Sequence, residues 1–237
     1  MNEEFIFLLE RLVPALNKGV LVSLQLIVPS AILGIFFGVV VGACRAFGGG
    51  VLRTLANGYA ALFRGTPLVI QLFILYFGLP NVGIYFQPYT AAVLGFTLCS
   101  AAYHSEYIRG GLLSIKRGQV LAAQALGFST FTTLVWIIIP QAFRRALPGC
   151  GNEIVYLIKY SSLAYVITCF ELTGQAKIVA SESFRFSEVF MVVGVYYLIL
   201  VSVASYGLRR FNNKKSVIQY FKGLKSFNAN QMGLIIF

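Results

Sequence analysis

The chain has 237 residues, of which 58% are hydrophobic and only 11% are charged, and its mean hydropathy is +0.78. Because about a quarter of the residues in a soluble domain are charged, the composition excludes a soluble protein and indicates an integral membrane protein surrounded by lipid. A net charge of +11 can indicate nucleic-acid binding. Here the cations lie in short loops and near the C-terminus, and no basic face interleaved with aromatic residues is present. We therefore expect no nucleic-acid partner.

Five segments are long and apolar enough to cross a bilayer, which requires about 20 mostly apolar residues. They predict an all-α integral membrane protein with spans at about 20–43, 59–79, 89–108, 151–170 and 187–208. The first segment is too long for the apolar region of a cleavable signal peptide and lacks a small-residue cleavage site. We therefore expect it to stay in the protein as a membrane anchor.

The first span contains three glycines, Gly34, Gly38 and Gly42, which fall on one stripe of a helix. Stripes of small residues let helix backbones approach closely in membranes. The pattern predicts close helix packing, either within the subunit or with another chain.

Residues 118–143 form an apolar, helix-like segment that Gly127 and Pro140 interrupt. The stretch QVLAAQAL is rich in strong helix formers, and Gly127 suits the left-handed position that ends a helix. Ser129 or Thr130 can cap a second helix. Since Pro140 lacks a backbone donor, we expect this second helix to end there.

The window 133–142 is too short to span a bilayer, so we place both short helices in a cytoplasmic loop at about 114–145. The first helix is expected to expose Ala122, Ala123 and Ala125. Such a small-residue surface fits deeply into a groove on a partner protein. An apolar helix on the aqueous side of a membrane protein is typical of a docking element.

The cations are distributed unequally among the loops. None lies in PNVGIYFQP after the second span, whereas the loops after the first and third spans and the tail carry Arg45, Arg53, Arg109, Lys116, Arg117, Arg144, Arg145, Arg209, Arg210, Lys214, Lys215, Lys222 and Lys225. The positive-inside bias predicts an extracytoplasmic N-terminal segment, 1–18, and a basic cytoplasmic tail, 209–237. The tail either lies on the inner leaflet as an amphipathic helix or is disordered.

The cysteines Cys44, Cys99, Cys150 and Cys169 are scattered, and His104 has no partner at helical spacing. This spacing differs from that of a metal site. We expect buried, apolar cysteines, no metal and no catalytic residue.

Ionisable residues within spans are costly, by about 2.5–3.5 kcal/mol at a helix centre, and are therefore candidates for the substrate pathway. Four qualify: Arg64, Glu106, Glu153 and Lys159. Structural alternatives stay open for three of them. Arg64 can lie at the cytoplasmic boundary and extend towards water, Glu106 can pair with Arg109 on one helix face, and Glu153 can be favoured by a helix N-terminus.

Three separate motifs, in order, resemble those of bacterial permeases. They are FRGTPLVIQLFILYFGLP (63–80), AAYHSEYIRGGLLSIKRGQ (101–119) and PQAFRRALPGCGNEIVYLIK (140–159). The alanine–glycine–proline spacing inside the 114–145 loop is similar to the EAA loop of type I ABC importer permeases. Together the motifs resemble permeases for polar amino acids, of the histidine, glutamine and arginine permease family, over about 19–208.

The resemblance implies a type I ABC importer permease fold in a bacterial cytoplasmic membrane. The permease would work as a homodimer or a related heterodimer, with two ATPase subunits beneath the EAA loops and an extracytoplasmic amino-acid-binding protein. The ATPase-coupling residues would be Leu121, Ala122, Ala123, Gly127 and Pro140. Because the chain has no G-x-x-x-x-G-K-[ST] phosphate loop, we expect it not to be an enzyme, with ATP and Mg bound by the partner subunit and no cofactor in this chain.

Two residues depart from the family pattern: Leu121 stands where the family has the EAA glutamate, and Tyr160 where an acidic residue usually follows the lysine of the fourth span. The expected substrate is a polar amino acid such as glutamine, glutamate, histidine or arginine, with a slight preference for a neutral or cationic one. The alternative is an ion-gradient-driven secondary transporter or a channel subunit. The long docking-type loop and the absence of paired mid-span carboxylates in the sequence argue against it.

Overall fold

The computed structural model describes residues 6–233, with side chains described through residue 210. Within that range every regular element is a helix, and no strand is present. The helices are α1 (Phe7–Phe47), α2 (Gly50–Gly65), α3 (Leu68–Val82), α4 (Pro88–Leu113), α5 (Arg117–Ala125), α6 (Thr130–Ile167), α7 (Leu172–Ser183) and α8 (Phe186–Gly233).

By length and composition, two stretches of helix can cross a membrane alone: α1, and the Phe186–Arg210 part of α8. The number rises to four if two bent pairs, α2 with α3 and α6 with α7, each count as one span. Five spans therefore stay a prediction. The backbone of α8 continues through the tail to Gly233. The tail's side chains beyond Arg210 lie outside the described part, so its placement on the inner leaflet also stays a prediction.

The glycine stripe of α1 packs against α4 within the same subunit. A Cβ added at Gly34 would lie 2.8 Å from Ser100 Oγ, and one at Gly38 would lie 2.4 Å from His104 Cβ. Gly42 repeats the pattern one turn further on, against Ile108. The prediction of close helix packing is confirmed, and the partner of the stripe is α4.

The predicted span 59–79 is not one straight helix. It breaks between α2 and α3, whose axes differ by 103°. Pro67 has no backbone N–H, and Thr66 before it adopts the extended conformation (φ −107°, ψ 140°) that a following proline favours. The buried amide of Gln71 donates to the carbonyls of Phe63 and Thr66, at 2.9 and 3.0 Å, and so satisfies acceptors that the break leaves free.

Pro140, in contrast, does not end its helix, and the prediction that it would is wrong. α6 continues through Pro140 because the turn before it, Leu134–Ile138, is a π-helix. The N–H of Ile139 reaches the carbonyl of Leu134 five residues back, so the missing proline N–H falls where the hydrogen-bond pattern changes. The predicted span 151–170 starts inside this longer helix and runs past its end at Ile167.

The turn between α5 and α6 has the predicted conformation. Gly127 has φ +82°, and the N–H groups of Gly127 and Phe128 bond the carbonyls of Gln124 and Ala123 at 2.9 and 3.0 Å. This is the Schellman arrangement that ends a helix at a left-handed glycine. Ser129 Oγ then accepts the N–H of Thr132 at 3.1 Å and caps α6.

One of three buried apolar clusters lies between α1, α3, α4 and α6, around the fully buried Phe96 of α4. Cys99, Cys150 and Cys169 are buried as predicted, whereas Cys44 is half-buried, and all four are free thiols.

A fully buried carboxylate, Glu171, fixes the start of α7. It accepts the N–H groups of Thr173 and Gly174 at 2.9 and 3.1 Å, and the hydroxyls of Tyr197 and Ser23 at 3.0 and 3.4 Å. Because Ser23 belongs to α1 and Tyr197 to α8, this one side chain ties three helices together.

Candidate functional site

A cavity of about 530 Å³ lies where the α2–α3 break faces α4 and α6. Residues 65–68 of the break form one wall. The remaining wall is charged and aromatic, with the side chains of Arg64, Cys99, Tyr103, Tyr107, Glu153, Tyr156 and Tyr160. Two of the four predicted substrate-pathway residues, Arg64 and Glu153, are thus brought to one cavity.

Glu153 is the cavity's buried carboxyl residue, with 2% of the residue exposed. Tyr160 donates its hydroxyl to Glu153 Oε1 at 2.5 Å. The prediction that a helix N-terminus favours Glu153 is wrong, because α6 begins at Thr130 and Glu153 lies far inside it. Tyr160, the departure from the family pattern, is therefore the hydrogen-bond partner of this carboxylate.

Arg64 and Glu106 belong to a charged cluster of four side chains, which we define as Glu106 with Arg45, Arg64 and Arg109. Glu106 Oε2 accepts from Arg45 at 2.8 Å and from Arg64 at 2.6 Å, and Oε1 accepts from Arg109 at 2.5 Å. The predicted pairing of Glu106 with Arg109 is confirmed as one of three ion pairs. With three guanidinium groups and one carboxylate, the cluster carries an excess of positive charge.

Arg45 is the member of the cluster that sequence reasoning missed, since its position suggested a loop cation. Its side chain is only 8% exposed, and it also donates to Asn57 Oδ1 and Ser105 Oγ, both at 2.9 Å. A sequence signal was present, because Arg45 follows Gly42 by three residues and so extends the glycine stripe towards α4.

Lys159 does not line this cavity. It faces a separate opening shared with Ser162 and Tyr197, and its Nζ lies 5.3 Å from the ring centroid of Tyr156. The structure therefore separates Lys159 from the other three substrate-pathway candidates.

The five predicted coupling residues lie on α5, the glycine turn and α6. Leu121 is 54% exposed, and Ala122 and Pro140 are also exposed. Ala123 is buried, so the prediction that it is presented to a partner is wrong: it faces inward, and its carbonyl accepts the capping N–H of Phe128.

Large apolar side chains take up part of the exposed surface of this loop. They are more than half exposed at Leu121, Leu126, Phe131 and Trp136.

One polar contact holds α5 against α6, and a second joins Ser114, at the end of α4, to α6. Gln141 Nε2 donates to Gln119 Oε1 at 2.5 Å, and Arg145 Nη1 donates to the carbonyl and hydroxyl oxygens of Ser114 at 2.5 and 3.0 Å. The exposed apolar surface is therefore attached to the helix that carries Glu153.

Known proteins with similar sequences and folds are transport permeases. The chain is 40% identical over 202 residues to the nopaline transport system permease protein NocM of Agrobacterium fabrum, covering 81% of this chain and 84% of that protein. It is 36% identical over 208 residues to the glutamine transport system permease protein GlnP of Escherichia coli K12, covering 87% and 95%.

Among solved structures, an amino acid ABC transporter crystallised with histidines matches with a TM-score of 0.84 at 29% identity, over 90% of this chain and all of that one. The MetNI methionine ABC transporter shares the fold, with a TM-score of 0.73 at 21% identity, over 90% of this chain and 98% of that one. The fold is thus that of a type I importer permease. The family model for the inner membrane component of binding-protein-dependent transport systems matches residues 31–217, and the chain belongs to that family.

Proposed function

We propose that this permease subunit carries a polar amino acid through the cavity between α2, α4 and α6. The observation that supports this most directly is that Arg64 and Glu153 line the same cavity. An amino acid carries an α-carboxylate and an α-ammonium group, and these two side chains offer one complementary charge to each. The names of the relatives, which include nopaline and glutamine permeases, agree with a substrate of this class.

Aromatic side chains favour a neutral or cationic substrate side chain. The rings of Tyr103, Tyr107, Tyr156 and Tyr160 all line the cavity, and ring faces attract cations. Because the chain belongs to the family of binding-protein-dependent transport components, an importer driven by ATP is favoured over the ion-gradient-driven alternative.

The partners in this proposal are two ABC ATPase subunits, a second permease subunit and an extracytoplasmic binding protein. ATP and Mg would bind to the ATPase, which would dock on the surface of α5 through Leu121, Ala122 and the turn at Gly127. The exposed apolar side chains of this surface support such docking. In this arrangement the N-terminus lies outside and the C-terminus in the cytoplasm of a bacterium.

The test is reconstitution of the permease with a candidate ATPase and binding protein in liposomes. Radiolabelled glutamine, glutamate, histidine and arginine would be offered outside, with ATP or a non-hydrolysable analogue inside. We expect uptake of at least one of them with ATP only, and no change when a proton ionophore is added. Uptake that persists without ATP and collapses with the ionophore would overturn the proposal.

A further inference from the structure

Arg64 is the one member of the charged cluster that also lines the cavity. We propose that Glu106 is a positioning residue that holds Arg64 before substrate binds, and that Arg64 exchanges Glu106 for the substrate's carboxylate. This inference rests on the proposed function, because it requires an amino-acid substrate.

The arginines of the cluster are held to very different degrees. Arg45 makes three hydrogen bonds, to Glu106, Ser105 and Asn57, and its side chain is 8% exposed. Arg64 makes one, through Nη1 to Glu106, and its side chain is 37% exposed. Its guanidinium otherwise lies 5.7 Å from the ring centroid of Tyr103, a cavity residue. Arg109 also makes one hydrogen bond, to Glu106, and its side chain is 34% exposed, but it does not line the cavity. Arg64 is therefore the member that can change partner within the cavity.

The surplus of arginines makes such an exchange inexpensive. A carboxylate left alone in a membrane protein interior carries a large penalty, and breaking a single buried pair would incur it. When Arg64 leaves, Glu106 keeps Arg45 on Oε2 and Arg109 on Oε1. The guanidinium that leaves gains a new carboxylate, so neither carboxylate is left without a cation after the exchange.

Arginine also suits the new partner. Its planar fork donates two parallel hydrogen bonds to a carboxylate, and Arg64 uses only Nη1 on Glu106. Glu153, in the same cavity, is then available for the ammonium group. Arg64 would thus distinguish an amino acid from the same molecule without a negative carboxylate.

The first experiment measures this discrimination directly. The purified permease–ATPase complex, without binding protein, would be dialysed to equilibrium against labelled arginine, histidine and glutamine and against their α-amides, which keep the ammonium group but lack the carboxylate. We expect the wild type to prefer the acid at least about tenfold. In Arg64→Gln the ratio should fall towards one, and Arg64→Lys should restore part of it.

A matched control removes a guanidinium elsewhere. Arg11 forms an exposed ion pair with Glu182 at 2.9 Å, outside the cavity wall, so Arg11→Gln should keep the wild-type ratio. An Arg64→Gln complex that binds the acid and still prefers it to the amide as the wild type does would overturn the inference while leaving the proposed function intact. If the wild type binds none of the three amino acids, the proposed function fails and the inference with it.

The second experiment tests the exchange itself. The double variant Glu106→Gln/Arg109→Gln removes one charge of each sign, so the cluster keeps its net charge while Arg64 loses its competing carboxylate. If Glu106 competes with substrate, this variant should bind the amino acid about two- to fivefold more tightly, with unchanged affinity for the amide. Equal or weaker binding of the acid would show that Glu106 does not compete for Arg64.

Discussion

At the scale of single residues, only the backbone conformation at Gly127 disfavours a residue with a side chain. A Cβ there would meet nothing within 4 Å, yet φ is +82°. A left-handed conformation costs a non-glycine residue about 1–2 kcal/mol, and a β-branched residue is the least tolerant. A substitution at Gly127 therefore tests the backbone conformation without introducing a steric clash.

We predict that Gly127→Val reaches the membrane but loses ATPase association or substrate-stimulated ATP hydrolysis. The altered turn would change the angle between α5 and α6, while the membrane-embedded helices stay as they are. Co-purification of the ATPase and stimulated hydrolysis in liposomes provide the measurement. Gly127→Asn is the control, since asparagine tolerates a left-handed conformation. Unchanged uptake by Gly127→Val would refute the role of the turn.

A second prediction concerns Leu121, where the family has glutamate. Its half-exposed side chain has no hydrogen-bond acceptor, so it can stabilise a docked partner only by apolar burial, up to about 1.5–3 kcal/mol. We expect Leu121→Glu to weaken ATPase co-purification, because it places a carboxylate against an apolar partner surface. The volume-conserving Leu121→Met should bind normally. Equal or tighter association of Leu121→Glu would mean that the partner presents a cation there.

Local chemistry made part of the site predictable from sequence. Gly127 and Ser129 act on their own backbone neighbours, so residue type alone indicates their roles. Arg64 and Glu153 were identifiable because ionisable residues in apolar spans are rare. Their meeting in one cavity, and the position of Arg45 beside Glu106, depend on contacts between helices distant in sequence, which no local pattern encodes.

At the scale of elements, two prolines in apolar segments have opposite effects. Pro67 separates α2 from α3, and an amide from Gln71 caps the exposed carbonyls. Pro140 is absorbed by a π-helical turn, and α6 continues. In both cases the sequence reveals the missing N–H, but it does not reveal how neighbouring groups compensate for the lost hydrogen bond. The effect of Pro140 was predicted wrongly for this reason.

The packing of α1 on α4 gives a prediction about stability. Gly38→Ala should lower the free energy of unfolding by about 1–3 kcal/mol, since the new methyl would overlap His104. Gly58→Ala on α2 is the matched control, because a Cβ there meets nothing within 4 Å. It should be neutral or stabilising by up to about 1 kcal/mol through helix propensity.

The measurement is the thermal unfolding of both variants in detergent solution. A melting midpoint for Gly38→Ala at or above that of Gly58→Ala would contradict close α1–α4 packing.

At the scale of the whole molecule, composition alone separated a membrane protein from a soluble one, and the order of motifs indicated the transport family. The number of spans was harder to predict. A bent pair such as α2 with α3 contains enough apolar residues for one span, but its two helices have different axes. Orientation depends on loop charges, which act through the membrane rather than through contacts within the protein.

We predict that the N-terminus lies outside, because the cations cluster in alternate loops. In a variant whose four native cysteines are replaced, a single cysteine at Asn81 should react with an impermeant reagent added outside intact cells. One at Lys116 should react only after the cells are opened. Both positions are exposed in the protein, so accessibility within the fold does not limit the reaction. Labelling of both positions from outside would contradict the topology.

The length of α6 has a mechanical consequence. Pro140, beside the Gln141–Gln119 contact with α5, and Tyr160, in the cavity wall, lie on one α-helical stretch that also contains Pro148, about 30 Å apart at 1.5 Å per residue. If the stretch moves as one body, a tilt of about 5° about its Pro140 end would displace Tyr160 sideways by about 3 Å over that length. That displacement is comparable to a hydrogen-bond length, so a small rotation beside α5 is enough to make or break a contact in the cavity.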